Sequence, residues 1–216
     1  MALNIPPFMD ATLQAGFMGA LSNVLAQYIE SLKVGEELEI DYIPVFRFVL
    51  FAVLTTPINF FFQSWLEATF PSRPAGPHPK KSDDKPKKEP KLSVRNTIIK
   101  LVLDQTVSAT FNTLAFSMYT RGLQAAMHDA PRETSITGAI RFWNSPGSIK
   151  FDEVDWAGVW RVACDEFWGI YVDGLKVWPA VAVVNFTVVK DVQTRNLVGG
   201  MAGIAWGTYM SMLANA

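Results

Sequence analysis

Charge and hydrophobicity are unevenly distributed along the chain. Residues 11–29, 48–66, 105–120 and 196–216 contain no charged side chain, and a shorter uncharged stretch covers 177–189. A helix crossing the hydrocarbon core of a bilayer needs roughly 20 mostly apolar residues. A surface helix of a soluble domain, by contrast, shows a polar face every turn or so. The pattern predicts an all-α fold, a multi-pass transmembrane helical bundle of four to five membrane helices plus an interfacial amphipathic helix. The first helix is expected from an Asp10 cap to about residue 32. The second runs from Pro44 to about 70 with a kink at Pro57, and the third covers 93–127. Residues 128–151 read as a polar connection. Trp156, Trp160, Phe167 and Trp168 interleave with Asp155, Arg161, Asp165 and Glu166, as suits a helix at headgroup level over 154–171. A further span falls within 165–195, and a last helix covers 195–213.

Residues 71–91 differ sharply. They are rich in proline and lysine and too poor in apolar residues to offset the cost of ordering. The chain therefore reads as a single membrane domain over 1–216, with 71–91 a disordered basic loop between the second and third membrane helices. That loop is the one strongly basic connection. The positive-inside tendency places it, with the N-terminus, on the cytoplasmic-type face. Averages over the whole chain decide little: of 216 residues 50% are hydrophobic and 18% charged, with net charge -1. The first ten residues lack lysine and arginine, which argues against a secretory signal or transit peptide.

Polar residues recur at helical spacing inside the uncharged windows. Gly16, Ala20, Asn23 and Gln27 form one stripe, Thr56, Asn59 and Gln63 a second, and Asp104, Ser108 and Asn112, with Gln105 beside them, a third. Asn185 adds a polar group to the penultimate segment. Such residues face a bundle interior or a water-filled cavity, so Asn23, Gln27, Asn59, Gln63, Asp104, Gln105, Asn112 and Asn185 are candidate pore-lining residues. Interhelical hydrogen bonding is the structural alternative for each. Lys100 and Asp104, four apart, can pair on one face. In the last helix Gly199, Gly203, Gly207 and Ser211 repeat every four residues, the spacing that lets helix backbones approach closely.

The run Gly174-Leu175-Lys176-Val177-Trp178-Pro179-Ala180-Val181, followed by Asn185-Phe186, Arg195, Trp206, Tyr209 and Ser211, resembles the signature of the Mpv-seventeen and peroxisomal twenty-two-kilodalton membrane protein family. Ala15-Gly16 with Ala26-Gln27, then Asp41, Arg47 and Pro57, then Lys100 with Asp104-Gln105, are similar to earlier parts of its pattern. The chain departs from that pattern at Ser22-Asn23, Ala182 and Val189-Lys190, so it reads as a divergent member. The resemblance implies a protein of the peroxisomal or mitochondrial inner membrane, either channel-like or active in organelle biogenesis.

The function expected is therefore an organelle membrane protein, channel-like, that influences small-solute permeability and metabolite or reactive-oxygen balance. Asp104 would favour cations unless Lys100 neutralises it. The alternative is a non-conducting scaffold that recruits a soluble partner through residues 72–91 and self-associates through its glycines. The expected partners are the lipid bilayer and a homo-oligomer, with no nucleic acid. No enzymatic motif stands out. There is no phosphate-binding glycine loop or nucleophile elbow, no cofactor is implied, and His78 and His128 make no metal pair. Cys164 reads as a packed small residue.

Overall fold

The computed structural model describes residues 6–74 and 91–214, and these are helical with no strand among them. Most of the basic loop expected to be disordered, residues 75–90, lies outside the described residues. Helix α1 spans Pro7–Val34 and α2 Tyr42–Thr69. Helix α3 spans Val94–Leu103 and leads through a π-helical turn, Asp104–Ser108, into α4, Ala109–Ala126. Then follow α5, Ile136–Trp143, α6, Trp156–Gly174, α7, Trp178–Thr187, and α8, Val192–Ala214.

Helix ends follow local chemistry. Pro7 opens α1, where a missing N–H costs nothing. Gly35, at φ 75°, closes it in the left-handed region, its N–H donating to Ser31 O. Asp10 is not the cap expected from the sequence. It lies in the first turn and accepts from Gln14 at 3.0 Å and from Gln193 of α8 at 2.9 Å. Asp41, Ser93, Ser135 and Asp155 cap α2, α3, α5 and α6 by accepting backbone N–H groups of the first turn. Asp191 does the same at the start of α8. The Thr194 N–H and hydroxyl bound to it hold its carboxyl below the usual range.

Packing then arranges these rods. Helix α1 lies against α2 and α8, α4 against α6, and α3 against α7. Two features differ from the sequence expectation. The stretch 128–151 contains α5, whose Ala139 is wholly buried with Ile43, Leu123 and Met127, while Ile136 and Ile140 stay exposed. Eight residues in a proline- and glycine-flanked segment are too few to register as a helical period. Helix α6 lies along α4, with Val159, Ala163 and Ile170 buried. Cys164 is exposed rather than packed.

By length and apolar character, α2 qualifies to cross a membrane, and α6 with α7 qualifies as one span bent by 54°. That is fewer than the four to five membrane helices expected. The reason lies in the polar stripes: α1, the α3–α4 rod and α8 are long enough, yet Gln14, Asn23, Gln27, Asp104, Gln105, Asn112, Arg195 and Asn196 lower their mean hydropathy.

The glycines of α8 divide into two sets. A Cβ on Gly207 would meet Ser22 Oγ at 2.8 Å and Ser22 Cβ at 2.9 Å, so here α1 touches α8 directly. Gly200 stands likewise against Met18. One turn past Gly207, Asn23 Nδ2 donates to the Ser211 hydroxyl at 2.7 Å, fully buried. A Cβ on Gly203 would meet nothing within 4 Å, and one on Gly199 only Asn185 Nδ2 at 3.9 Å. The tight seam thus consists of Gly200, Gly207 and Ser211, and Gly199 and Gly203 stand beside it. Gly207→Ala is expected to destabilise the protein by about 1–3 kcal/mol, the usual cost of overpacking. Gly203→Ala is expected to be neutral or to gain up to about 1 kcal/mol of helix propensity. Thermal unfolding of both variants in one detergent checks the contrast.

Candidate functional site

A cavity of about 390 Å³ runs between α1, α2, the α3–α4 rod, α6, α7 and α8. That volume lies within the range of small-molecule sites. Its lining includes a polar belt from α2 and the α3–α4 rod, the amides and hydroxyl of Thr56, Asn59, Gln63, Gln105 and Asn112 with the Asp104 carboxylate. Helices α1 and α8 add small residues, Ala15, Gly19, Gly199, Gly203 and Gly207, among larger ones such as Gln14, Met18, Trp206 and Met210.

The belt is internally bonded. Asn59 and Asn112 exchange two hydrogen bonds of 2.9 Å, each donating through Nδ2 to the other's Oδ1. Asn112 also donates to Ser108 O at 2.8 Å. Gln63 Nε2 donates to Asp104 Oδ1 at 2.6 Å, and Gln105 Nε2 to Asp104 Oδ2 at 2.9 Å. The π-helical turn matters here. It falls at Asp104–Ser108 and widens the rod by one residue where it faces α2, as such turns do at functional sites. Tyr171 OH anchors the turn from α6 by donating to Gln105 O at 2.7 Å.

Of the residues expected to line a pathway, Asn59, Gln63, Asp104, Gln105, Asn112 and Asn185 border this cavity. Asn23 and Gln27 do not. Asn23 is spent on Ser211, and Gln27 grips the backbone of Asp41, donating to its carbonyl at 2.8 Å and accepting its N–H at 2.7 Å. The 23/27 spacing serves a helix seam and a loop rather than the cavity. Two amide oxygens on lining residues, Gln105 Oε1 and Asn185 Oδ1, are buried without a hydrogen-bond donor.

Arg195 and Phe186, which border the cavity, belong to a buried charge cluster. Lys100 does not pair with Asp104. It reaches Glu67 at 2.6 Å and also donates to the Ser72 hydroxyl. Arg195 donates to the same carboxylate, to Ser72 Oγ at 3.1 Å, and to Val189 O through Nε and Nη2. Glu67 in turn accepts the Ser72 N–H at 2.8 Å. Both cations lie near the Phe186 ring, Lys100 Nζ at 4.8 Å and the Arg195 guanidinium carbon at 5.6 Å. Lys100 is 0% and Arg195 3% exposed. Helix α2, the segment after it, α3, α7 and α8 therefore meet at one shared carboxylate. Glu67 gave no signal in the sequence, because the partners stand 33 and 128 residues away.

The residues carrying the family resemblance spread along α7 and α8, some at this cluster and some further along. Trp178 and Trp206 stack edge to face at 6.1 Å, Pro179 opens α7, Asn185 donates to Arg195 O at 3.2 Å, and Phe186 underlies the cations. Removing one member of a buried ion pair leaves the other uncompensated. Glu67→Gln is expected to cost about 3 kcal/mol on that ground. A Lys100→Met, Glu67→Gln double variant should lose less than the sum of the two single changes. Unfolding midpoints of the three variants in detergent read this coupling.

Residues 152–211 match the family model of the Mpv17 / PMP22 family, the segment that holds α6, α7 and most of α8. No solved structure matches the chain.

Proposed function

We infer the function from the chain's place in the Mpv17 / PMP22 family, which the match over residues 152–211 supports and which suggests an organelle membrane protein. The proposal is a multi-pass, channel-like protein of a peroxisomal or mitochondrial inner membrane that lets small solutes pass through the central cavity and performs no catalysis.

The observation that carries it is the pattern of burial. Beside Phe186, Ile43 and Leu66, the largest of the fully buried side chains are polar: Lys100, Asn23, Ser22, Ser72, Ser117 and Ser211. Large apolar side chains lie outside: Phe17 is 72% exposed, Trp168 67% and Phe61 58%. In water such a surface would be an aggregation site. In lipid it is the favoured exterior, with polar groups turned inward. Only 6% of the apolar stretch of α2 is buried, which separates it from the core helix of a soluble domain. On this reading the helices with polar stripes also cross the bilayer, because their stripes face α-helical neighbours or the cavity. The lining then gives the interior a use beyond packing, since it surrounds a volume large enough for a small solute.

Two measurements test the proposal. The chain should stay with organelle membranes through alkaline carbonate extraction, and its release would overturn the membrane reading. Purified protein in liposomes should raise small-solute permeability above that of protein-free vesicles, and unchanged permeability beside a working control channel would overturn the channel reading.

A further inference from the structure

We propose that the central cavity holds a small organic ammonium compound, with the Asp104 carboxylate as its counter-ion. This rests on the reading of the cavity as a solute site, and it names the kind of solute that site takes.

Asp104 is a carboxylate without a cation. Lys100, four residues before it, is committed to Glu67 and Ser72. Arg195, the other charged residue bordering the cavity among those described, is committed to Glu67, Ser72 and Val189 O. Lys100 and Arg195 outnumber Glu67 by one charge, yet neither bonds to Asp104. What reaches Asp104 is two amide N–H groups, one on each oxygen, from Gln63 and Gln105. An ionised carboxylate offers about four acceptor positions. Each oxygen therefore keeps a lone pair for a further donor. A carboxylate withdrawn from water and met by neutral groups alone is costly, and a cation beside it offsets that cost.

The rest of the lining decides the kind of cation. A calcium ion takes about six to eight oxygen ligands. Here the amide oxygens of Asn59 and Asn112 are engaged with each other, and much of the wall is apolar. Phe48, Phe51, Phe116, Trp178 and Trp206 border the same space. Aromatic side chains bury hydrocarbon and attract cations to their ring faces. One point of negative charge in a largely apolar surround matches an ammonium group on an apolar body. A volume of about 390 Å³ has room for a body of several carbons.

The test is equilibrium binding to the full chain in detergent. It is read by tryptophan fluorescence, since Trp178 and Trp206 border the cavity, and by the thermal unfolding midpoint. Benzylammonium chloride is compared with benzyl alcohol and sodium benzoate, which share its ring and differ in charge, each against detergent alone. Wild-type protein should bind benzylammonium at least about tenfold more tightly than either. Asp104→Asn should weaken benzylammonium by about tenfold to a hundredfold, the worth of a hydrogen bond to a charged group, and leave benzyl alcohol unchanged. Asp129→Asn, at an exposed carboxylate outside the cavity, should alter neither. The three ligands on wild-type protein carry the test if Asp104→Asn fails to fold. Benzylammonium held no more tightly than benzyl alcohol, or undiminished by Asp104→Asn in folded protein, overturns the proposal. The first result would mean that Asp104 is protonated or serves only to balance the surplus charge around Glu67. Either failure leaves liposome permeability as it was, so the loss of this proposal and the loss of the permeation reading are separate results.

Discussion

A single carboxylate holds two cations out of contact with solvent, and much of the architecture is arranged around that fact. Neither Lys100 nor Arg195 could remain buried alone, because an isolated charge in a low-dielectric interior costs several kcal/mol even after relaxation. Glu67 answers both, and Ser72 fills hydrogen-bonding positions that Glu67 leaves open. The constraint reaches outward from there. The end of α2 must meet the middle of α3 and the first turn of α8, and the segment after α2 must fold back so that Ser72 arrives beside them. Ser93 N donates to Ser72 O at 2.8 Å and Asn96 to Pro71 O at 3.0 Å, which brings the two ends of the intervening segment together. Of the family-resembling residues, Phe186 and Arg195 stand at this junction and Asn185 bonds the Arg195 carbonyl, so their chemistry reads as support for it.

The second organising element is the polar belt along the cavity. Amides on α2 and on the α3–α4 rod bond to one another and to Asp104 across the gap between helices. Side chains bonded in this way define a stiff surface. Its one carboxylate is met by neutral amides, which separates the belt from the charge cluster, where a carboxylate is met by two cations.

Much of this was legible in the sequence, for physical reasons. Long uncharged windows forecast long helices, and α1, α2, the α3–α4 rod and α8 follow them within a few residues. The spacing of Asn59 with Gln63, and of Asp104 with Asn112, grouped residues that the structure places together on one wall. The same logic grouped Asn23 with Gln27, which do bond to each other but turn to Ser211 and Asp41 rather than to the cavity, because helical spacing says which residues share a face and not what lies opposite. It also paired Lys100 with Asp104 along one helix, whereas a carboxylate distant in sequence took the lysine. The glycines of α8 were read as one stripe, yet neighbouring positions in it meet a helix and a void. The short α5 carried no signal strong enough to separate it from a connection.

The π-helical turn at Asp104–Ser108 has a consequence for how the chain can change length. It amounts to one surplus residue absorbed within an otherwise regular rod. Excising a residue there would let the two halves merge into uninterrupted α-helix with their faces kept, whereas with that residue retained and wound as regular α-helix the half before the turn would revolve by about 100° relative to the half after it. Lys100 would swing away from Glu67 while Asn112 kept its place opposite Asn59. The surplus residue is thus the phase adjustment that allows one continuous rod to serve both the amide belt and the charge junction, two targets that an ideal helix of the same sequence could not face at once.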